Sequence, residues 1–226
     1  MMAISDSLQA TKHRIAAACV AAGRPPEAVR LLVVSKTFPA SAVREAFAAG
    51  ARAFGENYVQ EGLAKVDELA DLRGQIEWHL IGPLQSNKTR PVAEQFDWVH
   101  GVDRLKIAER LSEQRPAALP PLNVCLQVNV SGETSKSGLA LDEVAALAHR
   151  VAALPRLHLR GLMAVPEPGP GALAQHRTMA TLFDTLKTEG LALDTLSLGM
   201  SADLEDAITA GSTMVRVGSA IFGTRA

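Results

Sequence analysis

A lysine, an arginine and two short glycine-serine turns carry the chemistry of this sequence. Lys36 follows Leu31-Leu32-Val33-Val34-Ser35, an apolar, partly β-branched run that reads as a buried strand, and Thr37-Phe38-Pro39 turns the chain directly after it. A lysine at the carboxyl end of a parallel strand points into the mouth of an α/β fold, where ligands sit. Desolvation there disfavours the ammonium and leaves an amine able to attack an aldehyde. Far along the chain stand Gly199-Met200-Ser201 and Gly218-Ser219. Each sets a hydroxyl beside a glycine where a helix is expected to begin. Such turns donate hydroxyl and backbone N–H groups to phosphate oxygens, and glycine lets the backbone come close. Arg216 lies two residues before the second turn. Every one of these residues has an ordinary alternative. Lys36 can leave a strand for solvent, Ser201 can be a plain N-cap, and Arg216 can bind a phosphate or carboxylate directly. Taken together they suit a ligand that carries both an aldehyde and a phosphate.

The elements between these residues must bring them together. Strands are predicted at Leu31–Ser35, Ala51–Phe54, Ile76–Ile81, Asp97–His100, Leu122–Val130, Leu157–Met163, Thr195–Leu198 and Thr213–Val217. Helical spacing fills the gaps at Ser41–Ala49, Tyr58–Leu72, Ser86–Gln95, a segment opened by Asp103, one marked by Val144, Leu147, Ala148 and Val151, Ala172–Glu189 and Ser201–Ala210. A last helical turn is expected at Ser219–Phe222. An extra helix, Ile4–Ala22, precedes the first strand and stops at Gly23, Pro25 and Pro26. Strict alternation predicts a parallel sheet, and eight units predict one closed (β/α)8 barrel spanning residues 1–226. An open doubly wound sheet would carry G-x-G-x-x-G after the first strand, and that motif is absent.

In such a barrel the carboxyl ends of the strands share one face. Lys36, Asn57, Met200, Ser201, Arg216, Gly218 and Ser219 fall there, with Glu56, Tyr58, His79, Lys88 and Lys136 nearby. His79 reads as a core or pocket-wall residue, and His100, His149, His158 and His176 as incidental. Glu56 is a general base or a structural group. Asp203, Glu205 and Asp206 are expected to face solvent, because inward carboxylates would repel a phosphate. Lys88 and Lys136 are solvated or attract phosphate.

Composition narrows the classes further. The chain is 47% hydrophobic with a formal net charge of -1, which suits a soluble globular protein and gives no electrostatic case for nucleic acid or an anionic membrane. Two cysteines are too few for a disulfide framework, and both read most simply as small buried residues, with a pocket wall as the alternative for Cys125. No cysteine or histidine spacing suggests a metal. Without a signal peptide or a long apolar span, the expected location is the cytoplasm.

Pyridoxal 5'-phosphate carries both required groups, and a sugar-phosphate aldolase using the same devices is the rival. Arg216 favours the former. It stays charged, so beside a pyridine nitrogen it would leave that nitrogen unprotonated and make the ring a poor electron sink.

Several linked motifs then resemble the pyridoxal phosphate homeostasis protein family. They are Val34-Ser35-Lys36-Thr37, Phe54-Gly55-Glu56-Asn57-Tyr58-Val59-Gln60-Glu61, Trp78 to Lys88, Ser135-Lys136-Ser137-Gly138, Gly161-Leu162-Met163-Ala164, Leu198 to Asp203 and Val215 to Gly223. The resemblance covers nearly the whole chain. It implies a barrel like the amino-terminal domain of alanine racemase, a Schiff base on Lys36 and phosphate contacts from Ser201, Gly218 and Ser219. It further implies Arg216 at the ring nitrogen, with Asn57, His79 and Met200 around the cofactor. Ala202 stands where an acidic residue is frequent in the family.

The implied role is cofactor storage or delivery and balance of amino-acid pools rather than catalysis. The partners implied are the cofactor and the apoenzymes that use it. The sequence ends at Ala226, just after the eighth strand. The racemase β-domain is therefore expected to be missing, and the protein to be a monomer. A slow amino-acid racemase or decarboxylase, with Glu56 or Tyr58 as partner base, is the alternative.

Overall fold

The computed structural model describes residues 3–133, 137–167 and 169–223. Eight strands close on themselves in sequence order, every neighbouring pair parallel. They are β1 (Arg30–Val34), β2 (Ala53–Glu56), β3 (Glu77–Leu80), β4 (Trp98–Val102), β5 (Leu122–Val128), β6 (Leu157–Ala164), β7 (Thr195–Ser197) and β8 (Met214–Val217). Around them lie α1 (Ile4–Ala21), α2 (Ala40–Ala48), α3 (Val59–Glu68), α4 (Thr89–Gln95), α5 (Leu105–Gln114), α6 (Val144–Ala152), α7 (Ala172–Thr188), α8 (Leu204–Ala210) and α9 (Ser219–Phe222). The predicted (β/α)8 barrel with an extra amino-terminal helix is what forms. Closure joins β8 to β1, with Leu32 beside Arg216 and Val33 beside Val217. That register puts the end of β1, with Lys36 beyond it, next to Gly218 and Ser219.

Strand alternation separates two cores. Outward-facing residues such as Val33, Phe54, Trp78 and Val99 pack under the helices in one continuous apolar layer. Full burial of a large apolar side chain there stabilises by about 1.5–3 kcal/mol. Inward-facing residues form two small apolar groups, Leu32 with Ala53 and Met214, and Trp98 with Cys125 and Met163. Between these lies a polar seam of His79, His100, Ser197 and Arg216, all buried. Branched aliphatic layers are the usual filling of such a barrel, so the seam is a departure. Burial pushes the Cys125 thiol up to about 12, which makes it an inert packing group.

The predicted boundaries shift in places with physical reasons. The second strand starts at Ala53 and not at Ala51, because the Ala51 N–H still donates to Ala46 O at the end of α2. The Tyr58–Leu72 helix divides: α3 stops at Glu68 and a 3-10 turn covers Ala70–Leu72. Asp103 does not cap α5. Arg104 holds that position, and the Asp103 carboxylate accepts from the Arg104 guanidinium at 2.7 Å. Among the described residues no helix is long and apolar enough to cross a membrane.

A candidate cofactor cavity at the barrel mouth

Lys36 stands in the turn after β1, and the residues on either side of it are clamped. Ser35 Oγ donates to Glu56 Oε1 at 2.6 Å, and the Ser35 carbonyl accepts from Lys65 Nζ at 2.7 Å. On the other side the Thr37 N–H donates to the Glu61 carboxylate. Lys65 ties these together, reaching Glu56 Oε1 at 2.8 Å and Glu61 Oε1 at 2.7 Å. Thr37 has φ +67°, a left-handed conformation that a β-branched residue adopts only when its surroundings impose it. Strain of this kind, of order 1–3 kcal/mol, is held by the Glu61 contact and aims the lysine turn. Glu56 is therefore a structural group of this cluster and not a base in the cavity. Burial pushes its pKa up, against the opposing pull of Lys65.

The second and third walls come from the far end of the chain. In the turn after β7, Gly199 has φ +91°, and a Cβ there would lie 2.5 Å from Ala207 Cβ. Glycine is required on both counts. Ser201 lies in the turn before α8, which begins only at Leu204. Asp203 shapes that turn: its Oδ1 accepts from the Met200 N–H at 2.7 Å and its Oδ2 contacts His176 Nε2 at 2.9 Å. Asp203 thus turns inward to brace the loop, correcting the solvent-facing expectation. Burial works against its charge, yet the His176 contact and the Met200 N–H leave its pKa lowered. Glu205 pairs with Arg14 of α1, and Arg14 also donates to the Ser201 carbonyl at 2.9 Å. After β8, a Cβ at Gly218 would sit 2.6 Å from the Val34 carbonyl, so only glycine lets this turn meet the Lys36 strand. Ser219 Oγ lies 3.3 Å from Ser201 Oγ, joining the two turns.

These pieces surround a cavity of about 660 Å³. Lys36, Asn57, Met200, Ser201, Arg216, Gly218 and Ser219 line it, together with the apolar Val34, Phe38, Ile81 and Val165. Phe38 is fixed by stacking on Phe222 of α9, with ring centroids 4.8 Å apart. Seven of the eight sequence-selected residues therefore converge. His79 is the exception. It is fully buried inside the barrel, held at 2.8 Å by both Glu77 and His100, and does not line the cavity. His79 is an inward residue of β3 whose two ring nitrogens are taken by His100 and Glu77 inside the barrel. Most of the cavity is built from positions at or beyond the strand ends, with Arg216 of β8 reaching it from within. Lys88 and Tyr58 are also absent from the lining, and Tyr58 is 58% exposed. Ser135 and Lys136 lie outside the described residues.

Among the described residues, Arg216 is the one buried charge that lines the cavity from within the barrel. Its Nη1 donates to the Ser197 carbonyl and to Ser197 Oγ, and its Nη2 to the Ala164 carbonyl, at 2.7–2.9 Å. All three acceptors are neutral. Burial lowers its pKa to about 10, opposed by Asp203 acting through space, so it remains a cation at neutral pH. A pocket with one amine, two hydroxyls beside close-approach glycines and a buried guanidinium fits a small planar phosphate-bearing aldehyde.

Sequence reading missed Arg14, Lys65, His100, His176 and Ser197. The Glu61–Lys65 spacing of four on α3 was a visible signal, and so was the inward i, i+2 pairing of Trp98 with His100. Nothing local marked Arg14, whose partners are 187 and 191 residues away.

The buried histidines predict an acid sensitivity. Burial lowers the pKa of His79 and, more strongly, of His100, against an ordinary value near 6.5. Below that value the unfolded chain binds protons that the folded rings resist. Stability is therefore present above about pH 6.5 and falls with pH, by up to about 1.4 kcal/mol per pH unit for each ring. Glu56, raised in the fold, acts in the opposite sense. Urea unfolding at pH 7 and pH 5 should show a steeper loss in the wild type than in His100→Gln. Equal slopes would mean that His100 protonates freely in the folded protein.

Comparison with known proteins agrees with this architecture. Residues 7–226 match the family of the alanine racemase N-terminal domain. The chain is 62% identical over 225 residues to a pyridoxal phosphate homeostasis protein of Pseudomonas aeruginosa, covering 100% of this chain and 97% of the relative. It is 58% identical over 226 residues to the protein of the same name from Escherichia coli K12, covering 98% and 97%. PipY of Synechococcus elongatus PCC7942, solved with PLP bound, superposes with a TM-score of 0.81 at 39% identity, over 92% of this chain and 100% of that one. The chain belongs to the alanine racemase N-terminal-domain family and, within it, to the pyridoxal phosphate homeostasis proteins.

Proposed function

We propose that this protein binds pyridoxal 5'-phosphate as a Schiff base on Lys36 and holds it for cytoplasmic cofactor homeostasis, keeping it available to apoenzymes, as a monomer and without turnover. The observation that carries the reading is the meeting of Lys36, Arg216 and the Ser201–Ser219 pair in one cavity of about 660 Å³. The cofactor's aldehyde would meet Lys36 Nζ, and its phosphate would meet the two hydroxyls and the turn at Gly218. Arg216 would donate to the ring nitrogen and hold it unprotonated. The bound cofactor would supply an electrophilic carbon conjugated to a ring. The protein supplies binding and orientation but little that moves a proton. Both candidate bases support this: Glu56 is engaged by Ser35 and Lys65, and Tyr58 is turned to solvent. The name shared by the two relatives, as homeostasis proteins and not as enzymes, points the same way.

The test is borohydride reduction of the purified protein after adding pyridoxal phosphate, followed by peptide mass mapping. A pyridoxyl mass on the Lys36 peptide is expected. A mass on any other lysine would relocate the site, and no visible band at all would favour the aldolase reading. Ser201→Ala should weaken retention by about 1–3 kcal/mol, the value of a hydrogen bond to a charged group, without removing the covalent link. Equilibrium dialysis measures this. Unchanged affinity would place the phosphate elsewhere.

A further inference from the structure

Four contacts join the cavity to the opposite end of the barrel. Arg216 Nη1 lies 2.8 Å from Ser197 Oγ, and Ser197 Oγ lies 3.2 Å from His100 Nδ1. His100 Nε2 lies 2.8 Å from His79 Nδ1, and His79 Nε2 lies 2.8 Å from Glu77 Oε1. Glu77 is the first residue of β3, at the barrel floor, where Arg30 Nη2 also donates to Oε1 at 2.8 Å. Ser197, His79 and His100 are fully buried and Arg216 nearly so.

The two ends determine the direction of the whole chain. A guanidinium can only donate, and an ionised carboxylate can only accept. Arg216 therefore donates to Ser197 Oγ, and Glu77 accepts from His79 Nε2–H. Glu77 is ionised: burial works against its charge, but hydrogen bonds from His79 and Arg30 and the Arg30 cation hold its pKa below the ordinary value. With both rings neutral, one assignment satisfies every contact. His79 Nδ1 accepts from His100 Nε2–H, and His100 Nδ1 accepts from the Ser197 hydroxyl. The reverse direction would set an unprotonated His79 nitrogen against the Glu77 carboxylate. Burial supports neutral rings in both cases, with Glu77 and Asp97 acting against it on His79, and with Arg30 and Arg216 acting with it on His100.

We propose that Glu77, His79, His100 and Ser197 form one hydrogen-bonded relay of fixed direction that positions Arg216 for the cofactor. The three oxygens that hold the guanidinium are unequal. The carbonyls of Ser197 and Ala164 are set by the sheet. Ser197 Oγ can rotate, and only the acceptor on His100 commits its proton away from Arg216 and its lone pairs toward it. The floor of the barrel thus sets the orientation of the residue at its mouth. Glu77, His79, His100 and Ser197 are positioning residues, since none of them lines the cavity. The inference rests on the reading that Arg216 faces the ring nitrogen, and its test separates the two.

The first arm needs no cofactor. Nitrogen-15 spectra of the cofactor-free full-length protein should show His79 and His100 as neutral Nε2–H tautomers from pH 8 to pH 6. A Nδ1–H tautomer on either ring, or protonation in that range, overturns the relay. The second arm compares pyridoxal 5'-phosphate with its 1-deaza analogue, which lacks the ring nitrogen. Ser197→Ala and His100→Phe should weaken binding of the former about fivefold, the equivalent of one neutral hydrogen bond. They should leave the analogue unchanged, and Ser197→Thr should restore affinity. Equal weakening of both ligands would show a merely structural role and overturn the positioning claim, as would no weakening of either. If the wild type takes up neither ligand, the cofactor reading and the role of Arg216 in it fail together. The direction of the relay is then still decided by the spectra of the free protein.

Discussion

Alanine at position 36 will leave a folded protein that binds pyridoxal phosphate without a covalent link. The expected result is complete loss of the Schiff-base absorption band, against a near-unchanged unfolding midpoint. Both halves follow from the geometry. Lys36 lines the cavity, and the residues on either side of it carry the clamps of the turn. Ser35 is fixed by Glu56 and Lys65, and Thr37 by Glu61, so the turn survives without the amine. The Ser201 and Ser219 hydroxyls and the turn at Gly218, proposed to hold the phosphate, are untouched by the change, so residual non-covalent binding is expected by dialysis. Loss of a covalent anchor has no partial value, which makes this the largest functional effect available. A band that persisted in Lys36→Ala would assign the anchor to another lysine. An unfolded variant would show that Lys36 itself supports the barrel.

Methionine at position 65 will be the most destabilising single change near the site, costing about 3–5 kcal/mol. Lys65 is 5% exposed and its partner Glu56 is fully buried. Removing the ammonium leaves the Glu56 carboxylate with only the Ser35 hydroxyl, and its other oxygen, Oε2, already lacks a partner among the described residues. Breaking one member of a buried pair strands the other charge at full desolvation cost, whereas removing both is far milder. Urea unfolding of Lys65→Met and of the double variant Lys65→Met/Glu56→Leu should show the double variant as the more stable of the two. Equal instability would mean that packing of the lysine stem, and not the stranded charge, sets the cost. Because Lys65 also donates to the Ser35 carbonyl, the single variant should lose cofactor affinity as well.

Much of this was legible in one dimension. The eight alternations of strand and helix, the lysine after the first strand and the serines and glycines after the last two are local patterns. A strand needs a run of apolar residues, a turn needs glycine or proline, and a barrel follows from repetition. The cavity residues at and beyond the carboxyl ends of the strands were therefore identifiable from their positions along the chain. Asn57, Met200, Ser201, Arg216, Gly218 and Ser219 all reach the cavity that Lys36 enters.

What tertiary structure alone decided is how those residues are held. His79 reads from its position as a core or pocket-wall residue, and only the family resemblance sets it beside the cofactor; closure of the sheet puts it in the barrel interior, one contact from His100. Asp203 was sent to solvent by a charge argument that ignored His176, a partner 27 residues away. Arg14 braces Ser201 across 187 residues. Side chains on different strands become neighbours only when the sheet closes, and closure sets their register to within one residue. Sequence alone determined the fold, the family resemblance and the reactive groups, since these depend on local spacing and residue type. Closure decided which buried polar groups meet, since those contacts depend on distances that no local pattern encodes.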